Sequence, residues 1–353
     1  MPERPTPFLI YGASGYTGQL AAEHAVASGL RPVLGGRDVE KLRPLAERLR
    51  LEWRAFDLET PAGVSDGIRG IGVVLHTAGP FSATSRPMAD ACLAAGVHYV
   101  DVTGEIDVFE ALAARDREAR DAGVMLLPGA GFDVVPSDCL AAHVAQRLPG
   151  ARRLRISIGG LHGASRGTAK TMVEGAGRGT RVRRGGRLVE LDRPPRASAD
   201  FGAGPRPTIG VGWGDVATAW RSTRIPDIEV LFEASPRLER IAAMPRPLRH
   251  LLAAGFSQRM LKRWIEKRLP PGPTPEQRAC SRTVLVAEAW DETGAHVASR
   301  LDTPEAYTLT AWTAVEIARR AAAGEAAAGY QTPATAYGAD FILSFAGTAR
   351  VDY

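Results

Sequence analysis

A short apolar run, Phe8-Leu9-Ile10-Tyr11, breaks directly into the glycine-spaced turn Gly12-Ala13-Ser14-Gly15-Tyr16-Thr17-Gly18, and a helical run follows from Gln19 to Ser28. No other segment constrains the fold as strongly. In a βα junction of this kind the first glycine permits the tight turn, the second leaves room for a diphosphate, and the third lets helix and strand approach closely. Backbone N–H groups at the positive end of the helix dipole then face the anion. Glycines alone would mark an ordinary turn. The strand before and the helix after turn them into the expectation of a dinucleotide site on Gly12, Ser14, Gly15, Tyr16, Thr17 and Gly18.

The second strand, Arg31-Pro32-Val33-Leu34, ends at Gly35-Gly36-Arg37-Asp38. A site for NAD usually places Asp or Glu here to accept from the ribose 2′-OH. This chain has glycines and then Arg37, whose planar fork suits a 2′-phosphate. The expected cofactor is therefore NADP(H). The plain alternatives are a solvated Arg37 at a helix start and Asp38 as the helix N-cap.

Strand and helix continue to alternate. Helices are expected at 39–49, 64–69, 86–95 and 108–120, and strands at 53–58, 73–77, 98–102 and 124–127. That spacing implies parallel βαβ units with helices on both faces, a doubly wound Rossmann α/β sheet. Ligands of such sheets sit beyond the carboxyl ends of the strands. Asp57 and the turn Ala78-Gly79-Pro80-Phe81 lie at those ends, the turn being expected under the nicotinamide ribose. After Gly129-Ala130-Gly131-Phe132-Asp133-Val134-Val135-Pro136 the pattern changes. A helix (137–148) and an alternating strand (153–158) lead into Gly-, Pro- and Arg-rich sequence with a candidate hairpin at Arg184-Gly185-Gly186-Arg187, then a strand at 283–290 and an apolar helix at 309–323 that could return to the first lobe. The expected division is a Rossmann domain over 1–130 completed by about 325–353, with a second α+β domain over 131–324. A chain of 353 residues suits two such lobes.

Composition narrows the setting. Three widely spaced cysteines (Cys92, Cys139, Cys280) argue for a reducing cytoplasm and against a disulfide framework or a cysteine metal site. No metal site is expected. The start lacks the apolar core of a signal peptide, and no apolar run reaches membrane-span length. The net charge of +5 is modest and scattered, and no nucleic-acid module is evident. The stretch Leu248–Leu269 reads as an amphipathic basic helix; its functional readings are a membrane-surface (lipid) or acyl-carrier contact, its plain one a solvated face.

Several segments together resemble one family: GASGYTG at 12–18, AGPF at 78–81, YVDVTGE at 99–105 and GFDVVPS at 131–137. The chain resembles the saccharopine dehydrogenase-like NADP-binding oxidoreductases. Its tail segments, GPTPEQR at 272–278, EAYTLT at 305–310 and GYQTP at 329–333, resemble those of the trans-acting enoyl reductases. The resemblance implies a Rossmann lobe completed by C-terminal residues, a second lobe whose sheet covers the nicotinamide, and a homodimer formed through that lobe. It also implies hydride transfer from NADPH to an activated C=C or C=N bond of a small-molecule or acyl-carrier-bound substrate.

For an enoyl thioester, hydride at the β-carbon leaves an enolate oxygen that needs a donor, and the α-carbon then needs a proton. Arg166, Thr168 and Lys170, at the start of an expected helix facing the cleft, are the candidate catalytic donors. An ordinary helix start with solvated bases explains Lys170 equally well. Asp101, Glu105 and Asp133 read individually as caps or turn formers. Gly163–Gly167 also fits the G-x-S-x-G pattern of a serine hydrolase, with His250 or His296 as base, but such a fold would not open on a dinucleotide turn. The absence of Tyr-x-x-x-Lys disfavours a short-chain dehydrogenase. The remaining alternatives are an imine reductase acting on an amino-acid adduct and a non-catalytic NADP-binding regulator.

Overall fold

The computed structural model describes residues 7–161, 165–175, 179–245 and 254–353. The chain divides into two compact units, one of Met1–Val135 with Tyr307–Tyr337, the other of Pro136–Ala306 with Gly338–Tyr353.

The first unit is a seven-stranded parallel sheet. Its strands are β1 (Phe8–Tyr11), β2 (Val33–Gly36), β3 (Trp53–Ala55), β4 (Val73–His76), β5 (His98–Asp101), β6 (Met125–Leu127) and β15 (Gly329–Tyr330), in the order β15-β6-β5-β4-β1-β2-β3. The chain winds outward from β1 to β3, returns to β4, and winds the other way to β6. The order therefore reverses between β1 and β4, where a doubly wound sheet opens its ligand crevice. All four residues of β1 and of β4 are buried, as continuous apolar runs must be in the middle of a sheet covered on both faces. The helices are α1 (Tyr16–Ala27), α2 (Val39–Leu49), α3 (Pro61–Gly67), α4 (Phe81–Ala95), α5 (Ile106–Ala113) and α6 (Asp116–Asp121). One helix was expected over 108–120. The structure has two, parted at Arg115, whose guanidinium bonds Asp90 and Glu118.

The second unit starts along α7 (Val135–Arg147) and holds a mixed nine-stranded sheet: β7 (Arg153–Gly159), β8 (Thr180–Arg184), β9 (Arg187–Leu191), β10 (Arg196–Asp200), β11 (Pro205–Val211), β12 (Asp227–Glu233), β13 (Arg282–Trp290), β14 (His296–Pro304) and β16 (Ala349–Asp352). Only β7 and β12 pair in parallel; the other pairings are antiparallel. The expected hairpin at 184–187 is present, with Gly185 and Gly186 both at positive φ (54° and 76°), the geometry of a two-residue I′ turn. Its helices are α8 (Arg166–Gly175), α9 (Asp215–Thr223), α10 (Pro236–Ala242), α11 (Gly255–Arg268) and α12 (Pro275–Cys280). Two more, α13 (Ala306–Ala322) and α14 (Pro333–Tyr337), run with the first unit.

The domain boundaries differ from the expected ones at the C-terminal end. The apolar helix expected in the second domain, α13, returns to the first. Thr313 Oγ1 donates to the Ala130 carbonyl at 2.7 Å, and Thr310 Oγ1 accepts from the Phe132 N–H at 2.9 Å. Conversely, residues 338–353 leave the Rossmann unit, because β16 pairs antiparallel with β14 from Ser299↔Asp352 to Asp302↔Ala349. Among the described residues no helix is long and apolar enough to cross a membrane. Cys92 and Cys139 are buried and Cys280 is exposed, all as free thiols.

Candidate dinucleotide site

The turn after β1 is built on three glycines with different jobs. Gly12 has φ +86°, and a Cβ there would stand 2.7 Å from the Ala78 nitrogen. Its N–H, with that of Ala13, closes onto the Gly35 carbonyl at 2.8 and 3.1 Å. A Cβ on Gly18 would lie 2.4 Å from the Gly12 oxygen. These two glycines are demanded by the fold itself. Gly15 is less constrained: it sits at φ −76°, ψ 164° as the N-cap of α1, an ordinary backbone conformation, and a Cβ would meet the Gly12 oxygen at 3.2 Å, a close contact but not a clash. It is also exposed. A glycine at this helix N-cap brings no side chain of its own over the first-turn amides of Tyr16, Thr17 and Gly18. That cradle fits a diphosphate.

The neighbouring crossover is arranged differently. Ala78 to Phe81 follows β4, and Thr84 Oγ1 donates to the Ala78 carbonyl at 2.7 Å and to that of Pro80 at 3.1 Å. The N-terminus of α4 is capped from another strand: Glu105 Oε1 accepts from the Phe81 N–H at 2.9 Å and Oε2 from the Ser82 N–H at 2.8 Å. Glu105 is in turn held by its own N–H, which donates to Thr103 Oγ1 at 3.1 Å. The site thus has two adjacent helix N-termini, one that starts on a glycine with no side-chain cap of its own and one capped by a carboxylate from another strand.

Asp101, at the end of β5, fastens this rim. Its carboxylate is buried and accepts from Tyr99 Oη (2.7 Å), the Thr103 N–H (2.9 Å) and the Gly129 N–H (3.0 Å). Burial pushes its pKa up to about 6, although these bonds favour the charged form. Burial raises Asp133 to about 7, and its Oδ2 would lie 2.7 Å from a Cβ on Gly104.

One residue that sequence reasoning missed is His76. It is fully buried at the end of β4, and neither ring nitrogen has a hydrogen-bond partner among the described residues. Its ring packs against Phe81 at 5.3 Å and Tyr11 at 5.5 Å. Burial lowers its pKa to about 3, so it is a neutral aromatic filler under the turn rather than an acid. The available signal was a lone imidazole closing an apolar strand.

At the far end of the crevice Arg37 follows β2, exposed and without an ion pair among the described residues. Asp38 caps α2 by accepting from the Lys41 N–H at 3.3 Å, and pairs with the Lys41 ammonium at 2.8 Å. Asp57, beyond β3, is exposed and folds its own loop by accepting from the Glu59 N–H at 2.9 Å. Gly12, Ser14, Gly15, Tyr16, Thr17, Gly18, Arg37, Asp57 and Ala78 to Phe81 therefore all lie at or just past the carboxyl ends of β1 to β4.

The expected catalytic donors belong to the second unit, and there they have other partners. Arg166 Nε donates to the Leu269 carbonyl at 2.7 Å. Lys170 pairs with Glu266, and Thr168 Oγ1 lies 3.1 Å from Ser165 Oγ. The described contacts fasten α8 to the end of α11. Of the hydrolase pattern, Gly163, Ala164 and His250 lie outside the described residues. Ser165 caps α8 by accepting from the Thr168 N–H at 3.2 Å, and His296 stacks on Trp290 at 4.8 Å. Residues 248–253 of the expected basic helix are also outside the described residues; the rest forms α11.

A doubly wound sheet with an open glycine turn at its switch point defines a dinucleotide-binding domain of the Rossmann type. Residues 8–127 match the family model described as the saccharopine dehydrogenase NADP binding domain. The domain's cofactor is NADP(H). Trans-acting enoyl reductases of Mycobacterium tuberculosis and Mycobacterium ulcerans are similar in sequence. The first is 34% identical over 144 residues (38% of this chain, 34% of the relative), the second 29% over 153 residues (41% and 37%). The matches thus span about a third of those relatives. A candidate trans-acting enoyl reductase of M. tuberculosis, 29% identical over 227 residues, matches over 58% of this chain and 53% of its own length. Among solved structures, the apo saccharopine dehydrogenase (L-Glu forming) of Saccharomyces cerevisiae superposes over 99% of this chain and 100% of its own at TM-score 0.65 and 10% identity, a likeness of fold.

Proposed function

We propose that the protein is an NADPH-dependent oxidoreductase that reduces the activated C=C bond of an enoyl thioester. NADPH supplies the hydride, so the chain's own work is to bind, orient and stabilise charge. In this reading the α1 amides hold the diphosphate, and Arg37 holds the 2′-phosphate by charge-assisted bonds. The Ala78–Phe81 turn backs the nicotinamide ribose, and Asp57 borders the adenosine end. Substrate reduction places hydride on the β-carbon and a proton on the α-carbon.

The observation that carries the cofactor half of this reading is Gly15, a helix-capping glycine at an ordinary φ that brings no side chain over the α1 amides. The substrate half is supported by the similarity to trans-acting enoyl reductases. The test is an NADPH-oxidation screen of enoyl thioesters against preformed imines, using NADPH deuterated at C4. Turnover of an enoyl thioester with deuterium at the β-carbon is expected. Turnover of imines alone would replace the C=C reading with C=N reduction. Tight NADPH binding with no turnover of either class would make the protein a cofactor-binding regulator.

A further inference from the structure

In the second unit, α11 turns the wrong face outward for an ordinary surface helix. The helix is anchored by Ile265, only 5% exposed, by the Lys170–Glu266 pair, and by the Arg166 guanidinium on the Leu269 carbonyl that follows it. The outward side carries Phe256, Met260 and Trp264, at i, i+4 and i+8, with 71%, 56% and 56% of their surface exposed. Residues at that spacing form one continuous stripe. Arg259, Arg263 and Lys267, also exposed and also four apart, form a second stripe beside it. The helix's one acid, Glu266, is engaged with Lys170. Three large apolar side chains left mostly in water forgo the burial that stabilises such groups elsewhere in the fold.

We infer that this face of α11 is a docking surface for a lipid bilayer carrying anionic headgroups. The apolar stripe enters the boundary between headgroups and acyl chains, as interfacial amphipathic helices do. The adjacent bases stay at headgroup level on long stems and meet the negative surface potential. A soluble acidic protein would also attract the bases, but exposure of Phe, Met and Trp together in one row favours a surface they can sink into. The inference is independent of the proposed reaction, since it rests only on α11 and uses no residue of the dinucleotide site.

The experiment is sedimentation of the full chain with vesicles of phosphatidylcholine alone or with roughly one phosphatidylglycerol in three. Binding is expected only to the anionic vesicles and to weaken as salt shortens the Debye length from about 10 Å towards 3 Å. Two triple variants, Phe256→Ser/Met260→Ser/Trp264→Ser and Arg259→Gln/Arg263→Gln/Lys267→Gln, are each expected to cut the partition coefficient roughly tenfold or more. Both place polar groups at exposed positions, so melting temperature and NADPH affinity should hold and serve as the folding control. Absence of binding to anionic vesicles by the native chain overturns the inference. So does native-level binding by the serine variant. Binding of an acidic acyl carrier protein that depends on the bases but not on the apolar stripe, with no vesicle binding, would assign the face to a protein partner instead.

Discussion

Two helices start side by side at the switch point of the Rossmann sheet, and their N-termini are treated in opposite ways. The first-turn amides of α1 lie beneath Gly15, which offers no side-chain cap, whereas those of α4 receive both oxygens of Glu105. A helix N-terminus with a built-in carboxylate has its partial positive charge answered from within the protein. The α1 turn, starting on Gly15, brings no such carboxylate from its own cap. On the proposed reading, this difference directs the dinucleotide to one βα turn among several. The glycine spacing favours α1; a carboxylate borrowed from the next crossover closes α4. A third helix start, that of α8, is closed more locally, by Ser165 accepting from the Thr168 N–H.

The sharpest way to break this comparison is to fill the α1 turn. Gly18→Ala puts a Cβ 2.4 Å from the Gly12 oxygen and must displace backbone. A loss of NADPH affinity of about 100-fold or more is expected, roughly 2.7 kcal/mol, together with a lower melting temperature. Gly15→Ala separates the two effects. Its φ is ordinary and its one close contact, the Gly12 oxygen at 3.2 Å, asks far less displacement, so the melting temperature should fall less than in Gly18→Ala. NADPH affinity should still fall roughly tenfold, because the methyl group stands where the diphosphate approaches. Isothermal titration and differential scanning fluorimetry on the pair read this directly. Equal affinity in Gly15→Ala and the parent would mean the space over α1 is not the anion site.

A smaller effect is expected at the other end of the crevice. Arg37→Ala should lower the ratio of NADPH to NADH affinity about tenfold, the worth of a charge-assisted phosphate contact, while NADH binding stays nearly constant. An unchanged ratio would remove Arg37 from the 2′-phosphate and leave it a solvated side chain.

How much of this was legible in the sequence follows from where each determinant lies. The β1–α1 turn is local: strand, glycines and helix are contiguous, and so are the α2 cap at Asp38 and the 184–187 hairpin. The start of α4 is not. From its own residues the helix was expected to begin at Arg86, yet it begins at Phe81 because Glu105, more than twenty residues downstream, caps it. The C-terminal boundary failed for the same reason, since the placement of β16 is decided by its pairing with β14 and not by any local pattern. Arg166, Thr168 and Lys170 have the right chemistry for donors. Only the fold reveals that Glu266 and the Leu269 carbonyl, about a hundred residues on, engage two of them. Short-range patterning marked the cofactor turn; long-range partners decided which polar groups were left over.

The smallest expected effect tests the closed N-terminus itself. Glu105→Gln keeps one carbonyl oxygen to accept from Phe81 or Ser82 but turns an amide NH₂ towards the other N–H and removes the negative charge. Losing one charge-assisted cap bond should cost about 1–2 kcal/mol, seen as a melting temperature lower by roughly 2–6 °C. If the carboxylate serves only to close α4, NADPH affinity should stay within about twofold of the parent. Tighter NADPH binding by tenfold or more in Glu105→Gln would give Glu105 a different part to play. Its charge would then be holding the cofactor's own phosphates away from α4, and the two N-termini would be competitors for one anion instead of an open site beside a closed one.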